Sequence, residues 1–332
     1  MNSRYKTVVT DLITTSVETE MEILGDIAEI HALNAQSEEE LVGQIEDADT
    51  LMVYHLISLT KKTIERLEKC KLIVRCGVGY DNVDYALARR HDIAVANVPD
   101  YGTEEVADSA IGLALAMMRG IVLANSQLRG SGGEPWTHQI AAPLLRLRGR
   151  IFGIVGLGRI GTAVAVRARS LGMEVVYYDP YKPDGYDKSL GIRRAESLEE
   201  LLEQAYVVSM HCPLTVETRH MIDGKAISKM QDGSYLVNTA RGGVVNVRGI
   251  VDAIASGRLA GAAIDVLEDE PPDDDNPLIT AWRDPNHPAH HRVLVNPHLA
   301  FYCEEGRKEV RAKAAETCRR AMLGLPIPNV IN

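Results

Sequence analysis

Residues 153–179 read GIVGLGRIGTAVAVRARSLGMEVVYYD, and the rest of the chain is organised around them. Ile151 to Val155 is a short run rich in β-branched residues, which predicts a strand. Gly156, Gly158 and Gly161 then form G-x-G-x-x-G, and Ile160, Val164, Ala168 and Leu171 recur at helical spacing. Glu174 to Tyr178 predicts a second strand, ending on Asp179. A strand–turn–helix–strand unit with an acid roughly twenty residues beyond the glycines is the dinucleotide fingerprint. The first glycine permits a tight turn, the second lets the backbone approach a pyrophosphate, and the third lets helix and strand pack closely. The helix N-terminus offers free N–H groups and partial positive charge to the phosphates. Asp179 can accept from both ribose hydroxyls and would repel a 2′-phosphate, so NAD is favoured over NADP, with Lys182 nearby as the one opposing charge.

Upstream, apolar strand candidates alternate with helical spacing. Strands are expected at 6–13, 28–33, 50–54, 72–75 and 93–96, and helices at 19–27, from Thr60 through Leu67, and at 83–90. Ser37 and Glu40 look like the two members of a capping box opening a further helix. This alternation predicts a parallel α/β sheet in a first domain of about a hundred residues. Residues 103–129 read as one long helix, with Val106, Ala110, Leu113, Met117 and Val122 on its apolar face and Gly112 and Gly120 weakening it. Residues 130–143 are loop-like. After Asp179, strands at 206–210, 235–238, 261–265 and 293–296 and helices at 198–204, 225–230 and 247–256 supply a second nucleotide-binding half. The last helix, 304–323, follows the final strand and is expected to return to the first domain. The expected architecture is α/β with two Rossmann-like domains, each a parallel sheet. The cofactor domain, 103–298, is inserted in a flavodoxin-like substrate domain made of 1–102 and 299–332, with a cleft between the two.

A chain of 332 residues has room for two domains. Its net charge of −10, with basic residues only in isolated pairs such as Arg89-Arg90 and Arg319-Arg320, argues against nucleic acid or an anionic membrane as partner. Five cysteines without a C-x-x-C pair suit reduced thiols, so no disulfide frame, no zinc site and a cytoplasmic location are expected. The N-terminal MNSRYKTVVTDLI has no apolar h-region, and no apolar run reaches membrane-span length.

Three ionisable residues sit at the ends of the later strands, where ligands of such sheets bind: Arg241 in NTARGG, Glu270 in DVLEDEPP and His298 in NPH. Hydride transfer to a ketone leaves an oxyanion that must take a proton, and a histidine can give it near neutral pH. A neighbouring carboxylate fixes the histidine tautomer, and an arginine can hold a substrate carboxylate bidentately.

Seven motifs run in order along nearly the whole chain: VRCGVGYDNVD (74–84), NVPDYGTEEVADSA (97–110), GIVGLGRIG (153–161), CPLTVETRHMI (212–222), VNTARGG (237–243), AAIDVLEDEP (262–271) and NPHLAFY (296–302). In these the chain resembles the D-isomer-specific 2-hydroxyacid dehydrogenase family. Tyr54-His55, Arg75, YDPY (178–181) and the stretch from NPHLAFYCEEGRKEV onward resemble its C-terminal-binding-protein-like branch. The resemblance implies an NAD-dependent enzyme interconverting a 2-keto acid and the D-2-hydroxy acid, with Arg241, Glu270 and His298 as catalytic residues. It implies cofactor contacts at Val155, Gly156, Leu157, Gly158, Arg159, Ile160 and Asp179 on the fingerprint. Further cofactor contacts are implied at His211, Cys212, Pro213, Leu214 and Thr218, at Thr239, Ala240 and Arg241, and at Asp265, His298 and Ala300. Val78 is implied as one more cofactor contact, and Thr103 and Val106 are implied near the nicotinamide. His55, Arg75, Gly77, Val78, Gly79, Arg241 and Phe301 are implied to line the substrate, the 77–79 loop donating backbone N–H groups to its carboxylate. The region 103–129 and the loop after it resemble the family's dimerisation arm, so a homodimer is implied.

The same branch also implies a second reading, an NAD-responsive protein-interaction scaffold with little turnover. Chemistries on formate, phosphite or 3-phosphoglycerate are less expected. Phe301 stands where the branch carries tryptophan, implying a differently shaped pocket. The segment between Glu270 and His298 looks several residues longer than usual. It holds Asp273 to Asp275, Trp282, His287, His290 and His291, and a flexible, solvent-facing loop is expected there rather than a metal site. Cys76 and Cys212 are read as small core residues, since hydride chemistry needs no thiol.

Overall fold

The structure, a computed structural model, describes residues 4–14, 16–129 and 136–332. The chain divides into two units, Met1–Gly102 with Tyr302–Asn332 and Thr103–Phe301. The return to the first unit therefore falls after Phe301, three residues later than the sequence suggests. The reason is local: Asp265 Oδ1 accepts the N–H of Leu299 and Ala300, and Ser109 donates to the Ala300 carbonyl, so residues 299–301 stay with the second unit.

In the first unit, β1 (Tyr5–Val9), β2 (Ala28–Ala32), β3 (Thr50–Val53), β4 (Leu72–Arg75) and β5 (Ala94–Asn97) form one parallel sheet in the order β2-β1-β3-β4-β5. That is the flavodoxin-like order. Every residue of β3 and β4 is buried, which is why both read as continuous apolar runs rather than alternating ones. The connecting helices are α1 (Glu18–Leu24), α2 (Lys61–Ile64) and α3 (Tyr85–Arg90). Thr60 and Asp84 cap the last two, accepting the N–H of Lys62 and Leu87. The capping box at Ser37 does not form. Ser37 makes no cap bond, Glu40 accepts from Gln36 N, and only a 3₁₀ turn, Glu38–Leu41, follows. Glu38 is drawn instead to Thr60 N and the Thr63 hydroxyl, where it steadies the start of α2.

In the second unit, β6 (Ile151–Val155), β7 (Glu174–Tyr178), β8 (Arg193–Arg194), β9 (Val207–Met210), β10 (Ser234–Asn238), β11 (Leu259–Ile264) and β12 (Val293–Val295) form a parallel sheet in the order β12-β11-β10-β9-β6-β7-β8. This is the Rossmann order extended by one strand, and its order reverses between β6 and β9. The two-residue edge strand β8 carries no periodicity from which a sequence reading could find it. Helix α4 (Thr103–Met118) packs Ala107, Ala110 and Ala114 into the core. The predicted long helix is not continuous. Gly120, at φ +64°, breaks it from α5 (Ile121–Arg129), and the two are bent by 62°. A Cβ at Gly120 would lie 2.7 Å from Ala141 Cβ, so this is a packed corner rather than a weak spot. Among the described residues no single helix is long and apolar enough to cross a membrane; α4 and α5 reach that length only together, across their bend. Part of the loop expected over 130–143 falls at 130–135, outside the described residues; His138–Ala141 is a 3₁₀ turn.

The remaining helices of this unit are α6 (Arg159–Ser170), α7 (Tyr186–Leu190), α8 (Leu198–Gln204), α9 (Gly224–Lys229), α10 (Val247–Ala255), α11 (Pro277–Arg283) and α12 (Ala289–Arg292). The last two correct the expectation of a flexible, solvent-facing loop at 272–292. Asn276 caps α11 by accepting from Leu278 N and Ile279 N, Pro277 holds its first position, and Leu278, Ile279, Ala281 and Ala289 are buried. Trp282 packs against the same core. His290 Nδ1 bonds the Trp282 carbonyl and His291 Nδ1 bonds Ser126 Oγ, so both rings brace this segment.

Helix α13 (Glu304–Met322) completes the first unit and docks on α1 through Arg311. Its guanidinium donates to Glu20 Oε1 at 2.7 Å and Oε2 at 2.5 Å, and to the Ser16 carbonyl, with the Glu20 side chain fully buried. Removing one member of such a pair leaves a buried uncompensated charge. Arg311→Ala is expected to cost about 3 kcal/mol in urea unfolding, whereas Glu20→Leu with Arg311→Met recovers most of it. Equal loss in both variants would show that the pair is not the source.

Candidate functional site

The dinucleotide loop is built by close backbone approaches. Gly156, at φ +91°, follows β6, and a Cβ there would lie 2.7 Å from Cys212 N, so the loops after β6 and β9 meet only because this residue is glycine. A Cβ on Gly161 would lie 2.1 Å from the Gly156 carbonyl oxygen, which sets the first turn of α6 directly on the loop. Gly158 is the N-cap of α6, makes no side-chain cap bond, and has open space on its Cβ side. Its neighbours Val155 and Leu157 are buried, Arg159 is exposed and Ile160 half-buried. Asp179 is fixed at the end of β7, accepting Leu157 N at 2.9 Å and Tyr181 N at 3.0 Å. An uncapped helix start, a backbone open to solvent and a carboxylate one strand away suit a pyrophosphate and a ribose diol.

The facing lip is the loop after β9. His211 N donates to Val155 O, and its Nε2 pairs with Ser209 Oγ at 2.8 Å. Its Nδ1 is buried without a partner, and burial holds the ring pKa down to about 3, so His211 is neutral. Burial pushes the Cys212 thiol up to about 11 and the Cys76 thiol well above its usual range, so neither is a ready thiolate. Thr218 donates to the Pro213 carbonyl at 2.6 Å and closes the turn after Leu214. Beyond β10, Thr239 has a buried hydroxyl with no partner, an orphan donor that a bound cofactor could satisfy, and Ala240 N is held by Asn238 Oδ1.

Arg241, Glu270 and His298 follow β10, β11 and β12, which are adjacent in the sheet. His298 Nδ1 lies 2.7 Å from Glu270 Oε2, and Glu270 Oε1 accepts Leu267 N at 2.8 Å. His298 has φ +51°, uncommon outside glycine, and is kept there by its N–H to the Asp265 carbonyl. Phe301 meets its ring edge-on, with centroids 5.8 Å apart. Arg241 Nη1 donates to the Ala240 carbonyl. Gly242, next to it, has no room for a side chain: a Cβ would lie 1.9 Å from the Leu267 carbonyl carbon. The loops carrying Arg241 and Glu270 thus touch backbone to backbone. Asp265 is buried at the end of β11, with both carboxylate oxygens taken by the N–H groups of Leu299 and Ala300. Burial raises its pKa against those hydrogen bonds. At the start of α4, Thr103 is half-buried and Val106 buried, and Arg167 of α6 pairs with Glu104 and Asp108 on the same helix.

In the first unit the other candidates gather at the ends of β3 and β4. Arg75 is buried, donating to the Cys76 carbonyl, and its guanidinium crosses where a Gly77 side chain would be. Asn82 donates to the Tyr54 and Ile57 carbonyls and so fixes the segment of His55. Asn97 donates to the Val78 carbonyl at 2.7 Å, holding the turn that leads to Gly79. Asn82 and Asn97 were passed over in the sequence although both lie in quoted motifs. So were Arg219, His220 and Glu268, which form a cluster beside Glu270: Glu268 pairs with Arg219 Nη1 and with His220 Nε2.

These features define a dinucleotide-binding α/β protein with an acid–histidine pair on the same sheet edge. The model of the D-isomer specific 2-hydroxyacid dehydrogenase, NAD binding domain, matches residues 111–300. A D-3-phosphoglycerate dehydrogenase of Methanocaldococcus jannaschii is 36% identical over 95% of this chain and 57% of its own length. C-terminal-binding protein 1 of Caenorhabditis elegans is 34% identical over 92% of this chain and 42% of its own. Among solved structures, the D-lactate dehydrogenase of Aquifex aeolicus, complexed with NAD and lactic acid, superposes with a TM-score of 0.85 at 27% identity, covering 96% of each chain. A glyoxylate reductase from Paecilomyes thermophila does so with a TM-score of 0.85 at 28% identity, over 100% of this chain and 99% of its own. The chain belongs to the D-isomer specific 2-hydroxyacid dehydrogenase family, and its cofactor is NAD(H). It spans about half the length of the two relatives named by sequence.

Two outcomes follow from this geometry. Gly242→Ala forces the Arg241 and Glu270 loops apart and is expected to lower kcat by at least about tenfold while leaving NADH affinity within a few-fold, read by single-turnover and fluorescence titration. His211 binds its proton in the unfolded chain near pH 6.5 but in the folded one only near 3, so stability falls as pH drops below 6.5. At pH 5.5 the loss is on the order of 1 kcal/mol, and His211→Asn should abolish that increment between melts at pH 7.5 and 5.5.

Proposed function

We propose that this protein is an NAD(H)-dependent oxidoreductase that interconverts a 2-keto acid and the corresponding D-2-hydroxy acid. The observation that carries the reading is the 2.7 Å hydrogen bond from Glu270 to His298 Nδ1, on the sheet edge that also holds Arg241 and beside a dinucleotide loop. With Nδ1 held by Glu270, Nε2 is the ring nitrogen that would serve the reacting oxygen. The NADH that these residues would hold would supply a hydride to C2 of the keto acid. The C=O π pair becomes an alkoxide, and His298 Nε2 delivers the proton that makes it a hydroxyl; the reverse reaction returns that proton to His298. Glu270 stabilises the imidazolium, and Arg241 holds the carboxylate and polarises the carbonyl. The 77–79 loop, with Val78 and Gly79 as backbone donors, and His55, Arg75 and Phe301 complete the substrate-binding set. Cofactor contacts fall to the fingerprint, the 211–218 loop, Val78, Thr239, Ala240, Asp265 and Ala300, with Thr103 and Val106 near the nicotinamide. Asp179 favours NADH over NADPH.

The relatives' names support the substrate class. Lactate, glyoxylate and 3-phosphoglycerate chemistry are all represented there, so a phosphorylated keto acid belongs beside the simple ones. The relative named C-terminal-binding protein 1 supports the second reading, a scaffold that responds to NAD with little turnover. A homodimer and a cytoplasmic location belong to the same proposal. Support for the dimer is the apolar surface along α5, where Ile121 and Leu128 are exposed and no residue is buried, and at Trp136, 92% exposed.

NADH oxidation is followed with glyoxylate, pyruvate, hydroxypyruvate, phosphohydroxypyruvate and phenylpyruvate, with NADPH in parallel. Saturable turnover with at least one is expected, and His298→Ala and Arg241→Ala should each lower kcat/KM by at least about a hundredfold. Near-normal turnover in both variants would sink the mechanism. Silence of the wild type with tight NADH binding would favour the scaffold.

A further inference from the structure

Glu268 lies two residues before Glu270, and its carboxylate bridges Arg219 and His220. Taken alone this is a surface cluster, with side chains 42%, 53% and 40% exposed, and surface ion pairs contribute little to global stability. Its place in the fold gives it another use. His220 N donates to Gly243 O at 2.7 Å, Ile222 N to Val244 O at 3.2 Å, and Asn246 N to Ile222 O at 2.9 Å. Residues 220–222 are therefore laddered onto the backbone just beyond Arg241. His220 adopts φ +50° in doing so, a conformation that a non-glycine residue keeps only where its surroundings hold it. On the other side, the backbone of Leu267 and Glu268 presses against Gly242. Leu267 N is the donor that fixes the Glu270 carboxylate, whose second oxygen fixes His298.

We infer that Glu268, clamped by Arg219 and His220, is a positioning residue for the Glu270–His298 pair. This rests on the oxidoreductase reading above. The clamp ties the turn over 266–270 to the ladder beside Arg241, so that acid, base partner and carboxylate anchor keep one spacing. The clamp adds a polar tie between that turn and the ladder to the backbone contact at Gly242, and a displacement of the base by a fraction of an ångström weakens proton transfer.

The test uses the full-length protein and the variants Glu268→Ala, Glu268→Gln and Arg219→Ala, alone and in a Glu270→Gln background. Glu268→Ala is expected to lower kcat about tenfold while KM and NADH affinity stay within about twofold and the melting temperature is little changed. Glu268→Gln, which keeps an acceptor for His220, should recover most of the loss. In the Glu270→Gln background the effect of Glu268→Ala should fall below about twofold, because a residue acting through Glu270 cannot add to its loss. Amide exchange over 266–270 should quicken in Glu268→Ala and Arg219→Ala, with the rest of the sheet unaltered. Additive effects on kcat, or unchanged exchange over 266–270, would overturn the inference. If the wild type turns over no keto acid, the functional reading fails by itself, and the exchange experiment still decides whether Glu268 holds that turn.

Discussion

The site depends on one buried carboxylate. Asp265 ends β11 inside the protein, and its two oxygens accept the backbone N–H groups of Leu299 and Ala300 while its own carbonyl accepts His298 N. Three consecutive residues of the turn after β12 are thereby bound to a single residue of the neighbouring strand. The carboxylate is desolvated, which disfavours its charge, and the N–H groups and the nearby His298 favour it; burial prevails, leaving the pKa raised. A side chain in that balance does not move without leaving N–H groups unpaired, so the turn does not move either. His298 at φ +51° is a consequence, since the turn is closed by Asp265 and not by a relaxed conformation of the histidine.

Glycine supplies the complementary constraint. Gly156 brings the loops after β6 and β9 together, and Gly242 brings those after β10 and β11 together, in both places at distances no Cβ could share. Loops at the carboxyl edge of a parallel sheet ordinarily splay apart over the strands, roughly 4.8 Å between neighbours, and side chains fill the gaps. Here backbone replaces side chain at two of those gaps. The functional groups of successive loops therefore converge, and the uncapped start of α6 beside the first gap is left for phosphate oxygens.

Both the fold and the acid–histidine pair were legible in the sequence for physical reasons. Buried parallel strands are continuous apolar runs: β4, β6 and β7 lie at the residues the pattern predicts. Arg241, Glu270 and His298 are read in the sequence as ionisable residues at strand ends, and the structure places them after the adjacent strands β10, β11 and β12. What was not legible depended on competition or on contacts between distant segments. Glu38 satisfies Thr60 rather than opening a helix at Ser37, a choice no local pattern shows. Gly120 looked like a mild helix weakener, but its left-handed φ turns the chain through a corner set by Ala141. The α11 signal was present as Asn276-Pro277 ahead of an apolar run, but the surrounding charge hid it. The pairing of Arg219 with Glu268 leaves no local pattern, because 49 residues separate them in sequence.

Two carboxylates flank His298, and the structure distinguishes their roles. Asp265 has spent both oxygens on backbone donors and is buried, so it can neither reorient nor exchange protons readily. Glu270 has one oxygen on Leu267 N and the other on the histidine, with its side chain 31% exposed. With one oxygen tied to a backbone donor, the other is aimed at the ring of His298 and fixes it. A like charge beside it is also what raises the cost of ionising Asp265. Environment thus gives two chemically similar acids unequal parts, Asp265 pinning the turn and Glu270 holding the ring of His298, as burial and hydrogen bonding do wherever paired carboxylates differ. Exchanging their surroundings, rather than their identities, would exchange their roles.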